Sequence, residues 1–106
     1  MRVLLDENLP ADLAPLVPNA SASTVRAEGW SGITNGELLL RIAGRFDALL
    51  TMDQNLQYQQ NLKQLPFGVV LIRARSNRMV DLLPLLPAIS DALSRVQPGE
   101  LCLVGA

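Results

Sequence analysis

Val3, Leu4 and Leu5 form a short apolar run, and Asp6, Glu7 and Asn8 follow it without a spacer. Pro10 then opens a segment with Leu13, Leu16 and Val17 on one side, which reads as a helix. A short apolar run closed by turn formers and followed by a helical pattern is how a buried parallel strand enters a βα unit. In open α/β sheets the ligand crevice lies outside the carboxyl ends of the strands. Asp6 and Glu7 are therefore expected at the mouth of any site such a fold makes.

The pattern repeats along the chain. Ala20 to Val25 is small and β-branched and reads as a second strand; Arg26 to Ser31 is a loop around Gly29, with Trp30 expected as an apolar plug beneath it. Thr34-Asn35-Gly36-Glu37 matches a capping box, and Leu38, Leu39, Ile42, Ala43 and Phe46 follow at helical spacing. Ala48 to Thr51 is a further apolar run that again leads into an acid, Asp53. Gln54 to Leu65 is polar, with Leu56, Leu62 and Leu65 as the apolar points of an expected helix. Pro66 and Gly68 break it, and Val69 to Ile72 is the next strand, ending at the basic group Arg73, Arg75 and Arg78. Leu82, Leu86, Ile89, Leu93 and Val96 give the stripe of a long amphipathic helix, which Pro84 and Pro87 delay or kink. Pro98-Gly99 ends it, and Leu101 to Val104 is a last strand. Strands alternating with helices in this way predict one three-layer α/β/α domain over residues 1–106, with a mostly parallel central sheet of about five strands.

Composition removes several chemistries. The 106 residues are 49% hydrophobic and 18% charged, which suits one compact core rather than a disordered chain. With no histidine, a Ser-His-Asp or Cys-His site and a His-ligated zinc are excluded. Lys63 is the only lysine, and no phosphate-binding G-x-x-x-x-G-K loop surrounds it. Lys63 and Arg45 read as ordinary surface charges. The net charge of -1 argues against long, tight nucleic-acid contacts while leaving room for a local basic patch. No apolar run reaches the roughly 20 residues of a membrane span, and no signal peptide is expected. The single cysteine, Cys102, permits no internal disulfide, so a cytoplasmic location is expected.

Taken singly, each acid has an ordinary structural role. Asp6 suits a turn after a strand, Asp53 suits a helix cap, and Glu37 is the fourth residue of the capping box. Jointly they carry more, because two strands that end in acids and a neighbouring helix start converge on one sheet edge. Carboxylates about 4 Å apart repel by about 4 kcal/mol at an effective dielectric of about 20. Such a group stays ionised only when a cation compensates it. Without histidine or a reactive thiol the suitable ion is a hard one, Mg²⁺ or Mn²⁺, which activates water and stabilises charge on phosphate. Arg73 and Arg75 are then candidates for gripping phosphate oxygens, with a solvated loop as the plain alternative.

With these residues assembled, the sequence resembles the PIN-like family of small metal-dependent ribonucleases, and within it short bacterial proteins from toxin–antitoxin settings. The resembling stretches are Leu-Leu-Asp-Glu-Asn-Leu-Pro at 4–10, Trp-Ser-Gly-Ile-Thr-Asn-Gly-Glu-Leu at 30–38 and Leu-Leu-Thr-Met-Asp-Gln-Asn-Leu at 49–56, and the likeness extends through about Ile72. It implies hydrolysis of single-stranded RNA, with Asp6, Glu37 and Asp53 as catalytic metal ligands for Mg²⁺ or Mn²⁺. Glu7, Asn8, Asn35 and Asn55 would support them. It also implies a small antitoxin-like protein as partner, and a homodimer. Two positions depart from the pattern: Asn35 stands where the subgroup commonly has Asp, and Asn55 where a second acid often follows, with Leu56 replacing an aromatic residue. An asparagine ligates through its carbonyl oxygen but brings no charge. The rival readings are a PIN-like scaffold that binds a protein or RNA without chemistry, and a phosphoacceptor receiver domain with Asp53 as acceptor. A receiver needs a lysine at the end of its last strand, where this chain has Val104-Gly105-Ala106.

Overall fold

The computed structural model describes residues 1–105. Five strands, β1 (Arg2–Leu5), β2 (Ser21–Thr24), β3 (Ala48–Thr51), β4 (Gly68–Arg73) and β5 (Leu101–Gly105), form one sheet in the order β2-β1-β3-β4-β5. Every neighbouring pair is parallel. The helices are α1 (Asn35–Ile42), α2 (Leu56–Gln59), α3 (Met79–Leu82) and α4 (Leu86–Arg95). The expected layered α/β architecture with a parallel central sheet is therefore present.

Alternation along the strands divides the core in two. Val3, Leu5, Ala48, Leu50, Val70, Ile72 and Val104 face one layer, built from Leu9, Leu13 and Val17 after β1 and from Leu82, Ile89, Leu93 and Val96 after β4. Leu4, Leu49 and Val69 face the other, where Leu38, Leu39 and Ile42 of α1 lie with Trp30, Phe46, Leu56, Leu62 and Phe67. Trp30 is the plug its loop was expected to need, set edge-on to Phe46 with ring centroids 6.1 Å apart.

Three helical segments differ from their sequence patterns. Ala11–Leu16 is a 3-10 helix; Pro15 lies inside it, supplies no N–H and leaves no room for a regular α turn. Leu13 and Val17 are buried as expected, but Leu16 is exposed. The helix expected over Gln54–Leu65 splits into α2 and a 3-10 turn at Leu62–Gln64. Leu56 and Leu62 are six residues apart, about 240° round an α-helix at its ordinary pitch, so an unbroken helix could not turn both to the sheet. Extended backbone at Gln60 resets the direction, and both leucines are buried. The long helix after β4 is α3, a 3-10 turn at Leu83–Leu85 and α4; Pro84 and Pro87 divide it at the two points where helical N–H groups are missing.

α1 stops at Ile42, short of Phe46, because Gly44 adopts φ +79° and turns the chain toward β3. Thr34 caps it by accepting the Glu37 N–H at 3.3 Å. The reciprocal arm of the capping box is not made: Glu37 accepts instead from Arg41 one turn on.

The last crossover differs from the other three. The connections β2 to β3 and β3 to β4 step across the sheet in one direction on the α1 and α2 face, while β1 to β2 steps the opposite way on the opposite face. These three share one hand. The connection from β4 to β5 steps in the same direction as β2 to β3, yet α3 and α4 lie on the other face, so its hand is reversed. As a result, only Leu101, at the entry end of β5, packs against the α2-side layer, and Leu103 on the same face is 51% exposed.

Candidate functional site

In a sheet of order 2-1-3-4-5 the chain runs outward in both directions from β1, so the crevice forms between the carboxyl ends of β1 and β3. Asp6 and Asp53 leave those two strands. The pairing of β1 with β3 runs through Asp6, whose N–H donates to Leu50 O at 2.9 Å. The two acids then meet through one side chain, Thr51, the last residue of β3, with no solvent exposure at all. Its hydroxyl donates to Asp6 Oδ2 at 2.8 Å and accepts from the Asp53 N–H at 3.0 Å and from Asn8 Nδ2 at 3.3 Å. One donor and two acceptor positions are all a hydroxyl offers, so Thr51 is fully used.

Side-chain amides and backbone N–H groups hold the acids and their turns in place. Asn8 Oδ1 accepts from the Met52 N–H at 3.2 Å, which fixes the turn after β1 against the turn after β3. Asn35, at the start of α1, donates through Nδ2 to Asp53 Oδ2 at 3.3 Å and to Gln59 Oε1 of α2 at 3.4 Å. Asp53 Oδ1 accepts from the Asn55 N–H at 3.0 Å, so Asn55 contributes its backbone. The Glu7 N–H donates to Asp6 Oδ1 at 2.8 Å, while the Glu7 carboxylate turns aside to accept from the Gly32 N–H at 3.3 Å. Asp6, Glu7, Arg26 and Ser31 border a cavity of about 270 Å³ at this edge, beside the end of β2.

The basic segment after β4 is tied to the same edge. Arg73 Nε donates to Gln54 Oε1 at 3.0 Å, and Gln54 Nε2 donates to the carbonyls of Met52 and Ile72 at 3.3 and 3.4 Å. Asn77 Nδ2 donates to Asn8 O at 3.2 Å. Arg73, Arg75 and Arg78 are exposed, so their charge is available along the side of the crevice next to β4.

Of the three acids expected to converge, two are linked through Thr51, Asp6 by its carboxylate and Asp53 by its backbone N–H. Glu37 is exposed on α1 and forms a 3.1 Å ion pair with Arg41. Among the described residues no three carboxylate or thiol side chains are grouped as a metal cage. Asp6 and Asp53 still fit a hard divalent ion: Mg²⁺ is commonly held by only one or two carboxylates, with waters completing its shell. Each of their four oxygens carries one hydrogen bond and keeps acceptor capacity. Thr51 is the residue that sequence reasoning passed over. Its only signal was a hydroxyl closing an otherwise apolar buried run, where a polar group must find partners.

A larger groove, about 600 Å³, is lined by Gln57, Gln60, Lys63 and Leu101 at the entry end of β5 and is separate from this edge. Among the described residues no helix is long and apolar enough to cross a membrane. Comparison with family models, with curated proteins and with solved structures found no significant match to the chain.

Proposed function

We propose that the chain is a PIN-like, divalent-metal-dependent endoribonuclease whose reaction centre is the crevice between β1 and β3. The observation that carries this reading is the pair Asp6 and Asp53, joined through the buried Thr51 hydroxyl at the sheet's switch point. That RNA is the substrate, and that a small antitoxin-like protein is the cellular partner, rests on the resemblance of the stretches at 4–10, 30–38 and 49–56.

When bound, Mg²⁺ or Mn²⁺ would lower the pKa of water and neutralise charge developing on a phosphodiester. Asp6 and Asp53 would hold it. Thr51 fixes the rotamer of Asp6, and Asn35 does the same for Asp53. Glu37 can join at little cost, since an exposed ion pair such as Glu37–Arg41 is worth under about 1 kcal/mol. Arg73 and Arg75 would draw the phosphate backbone to the crevice.

The test is cleavage of single-stranded RNA with Mn²⁺ by wild type beside Asp6→Asn, an isosteric change that keeps an acceptor for Thr51. Cleavage lost in a folded Asp6→Asn supports the reading; equal cleavage by both overturns it. The competing reading, a non-catalytic PIN-like binding module, draws on Asn35 and Asn55 standing uncharged beside Asp53. It would leave wild type inactive. A phosphoacceptor role has no such support. The carbonyl of the only lysine, Lys63, lies 2.6 Å from where a Cβ on Gly99 would stand, at the entry end of β5 and across the sheet from Asp53.

A further inference from the structure

Asn35 is the one asparagine of the chain with glycine after it; Asn8, Asn19, Asn55, Asn61 and Asn77 each precede a residue that carries a side chain. A side chain on the following residue hinders attack of its backbone nitrogen on the asparagine Cγ, and glycine leaves the approach open. The fold gives Gly36 no other use. Gly29, Gly32, Gly44, Gly99 and Gly105 have positive φ, and a Cβ on Gly68 would strike Val96. Gly36 has neither constraint: a Cβ there would meet nothing within 4 Å, and a glycine at this point weakens α1.

The local backbone is available for that attack. Asn35 is the first residue of α1. Thr34 takes the next two N–H groups, Glu37 on its hydroxyl and Leu38 on its carbonyl, while among the described residues the Gly36 N–H meets no acceptor. The Asn35 side chain is half-buried and held by two long hydrogen bonds, from Nδ2 to Asp53 Oδ2 at 3.3 Å and to Gln59 Oε1 at 3.4 Å. Fraying of one residue at the helix start frees Gly36 N to reach Asn35 Cγ and admits water.

We propose that Asn35 is a deamidation site whose conversion sets a second carboxylate against Asp53. Gly36 N gives up its proton and bonds to Asn35 Cγ, and the side-chain nitrogen leaves as ammonia, giving a succinimide. Water then breaks the N–Cγ bond to leave aspartate, or the bond to the backbone carbonyl carbon to leave isoaspartate. On either branch one water is consumed, one ammonia is released and one amide becomes a carboxylate. Both donors vanish with the amide, so the ties from α1 to Asp53 and to Gln59 of α2 are lost and like charges face each other. An aged chain therefore carries one more acid at the crevice than a newly made one. That this acid would join Asp6 and Asp53 around a divalent ion rests on the function proposed above; the conversion itself does not.

The experiment holds purified wild type for several days in mildly alkaline buffer with a chelator and follows the tryptic peptide Ala27–Arg41 by mass. Asn35 is its only asparagine and it has no glutamine, so an exchange of NH for O in its mass marks this residue. The peptide should convert faster than those holding the other asparagines, and Gly36→Ala should bring it down to their rate. Urea unfolding in chelator reads the consequence. Asn35→Asp should lower the midpoint although aspartate suits a helix start, and adding Asp53→Asn, which again sets an amide against a carboxylate, should recover it. No conversion in peptide 27–41, or conversion unchanged by Gly36→Ala, overturns the inference. So does an Asn35→Asp midpoint equal to that of wild type, or a double variant no more stable than Asn35→Asp. No arm contains metal or RNA, so failure here is distinct from failure of the nuclease reading.

Discussion

Thr51 shows how one atom can set the chemistry of two strands. It shares parity with Leu49, so its side chain leaves the sheet on the α1 face, where a methyl-bearing residue packs well and a hydroxyl must be satisfied. All three of its bonds go to the acids and the amide of the crevice. Thr51→Val keeps the shape and removes those bonds. It is expected to cost about 1–3 kcal/mol, the range for stranding a buried partner, and Thr51→Ser should recover most of the loss. Urea unfolding midpoints of the three proteins check this, and an unchanged midpoint in Thr51→Val would contradict it. At this scale the sequence was partly legible. Asp6 and Asp53 could be placed at strand exits because turn formers follow apolar runs. Whether Glu37 turned to the crevice or to Arg41 could not be read, since both directions are open to an exposed side chain on the first turn of a helix.

Among the elements, the strands were the most legible, because in four of the five an apolar run of three or four residues lies between turn formers, and β2 shows small and β-branched residues instead. The helices were less so. Periodicity indicated which residues reach the core, as with Ile89 and Leu93, but not where proline or packing divides the segment. Packing at the strand entries is tight. A Cβ on Gly68 would stand 2.5 Å from Val96 Cγ2 and 2.9 Å from Val96 Cγ1, where the chain leaves α4. Gly68→Ala is therefore expected to destabilise by about 1–3 kcal/mol, as overpacking does, and by less in a Val96→Ala background. A double-mutant cycle on thermal or urea unfolding measures the coupling; strict additivity would contradict the contact.

For the whole molecule, strand order does what no single motif can. Alternating β and α patterns imply a parallel sheet but do not specify which strand lies at its centre, and it is the order 2-1-3-4-5 that sets the exits of β1 and β3 side by side. Nor does the sequence disclose the reversed hand of the last crossover, because its stripe of leucines would cover either face of β4 and β5 equally well. Two consequences follow at this scale: an acidic crevice at one end of the sheet, and an exposed Leu103 on its outer strand. The central claim, that the crevice holds a hard divalent ion through Asp6, is tested most directly by calorimetric titration of Mn²⁺ into wild type beside Asp6→Asn. The expected result is saturable binding at up to millimolar ion that is lost in the variant. No saturable binding to wild type, or equal binding to both proteins, would contradict it.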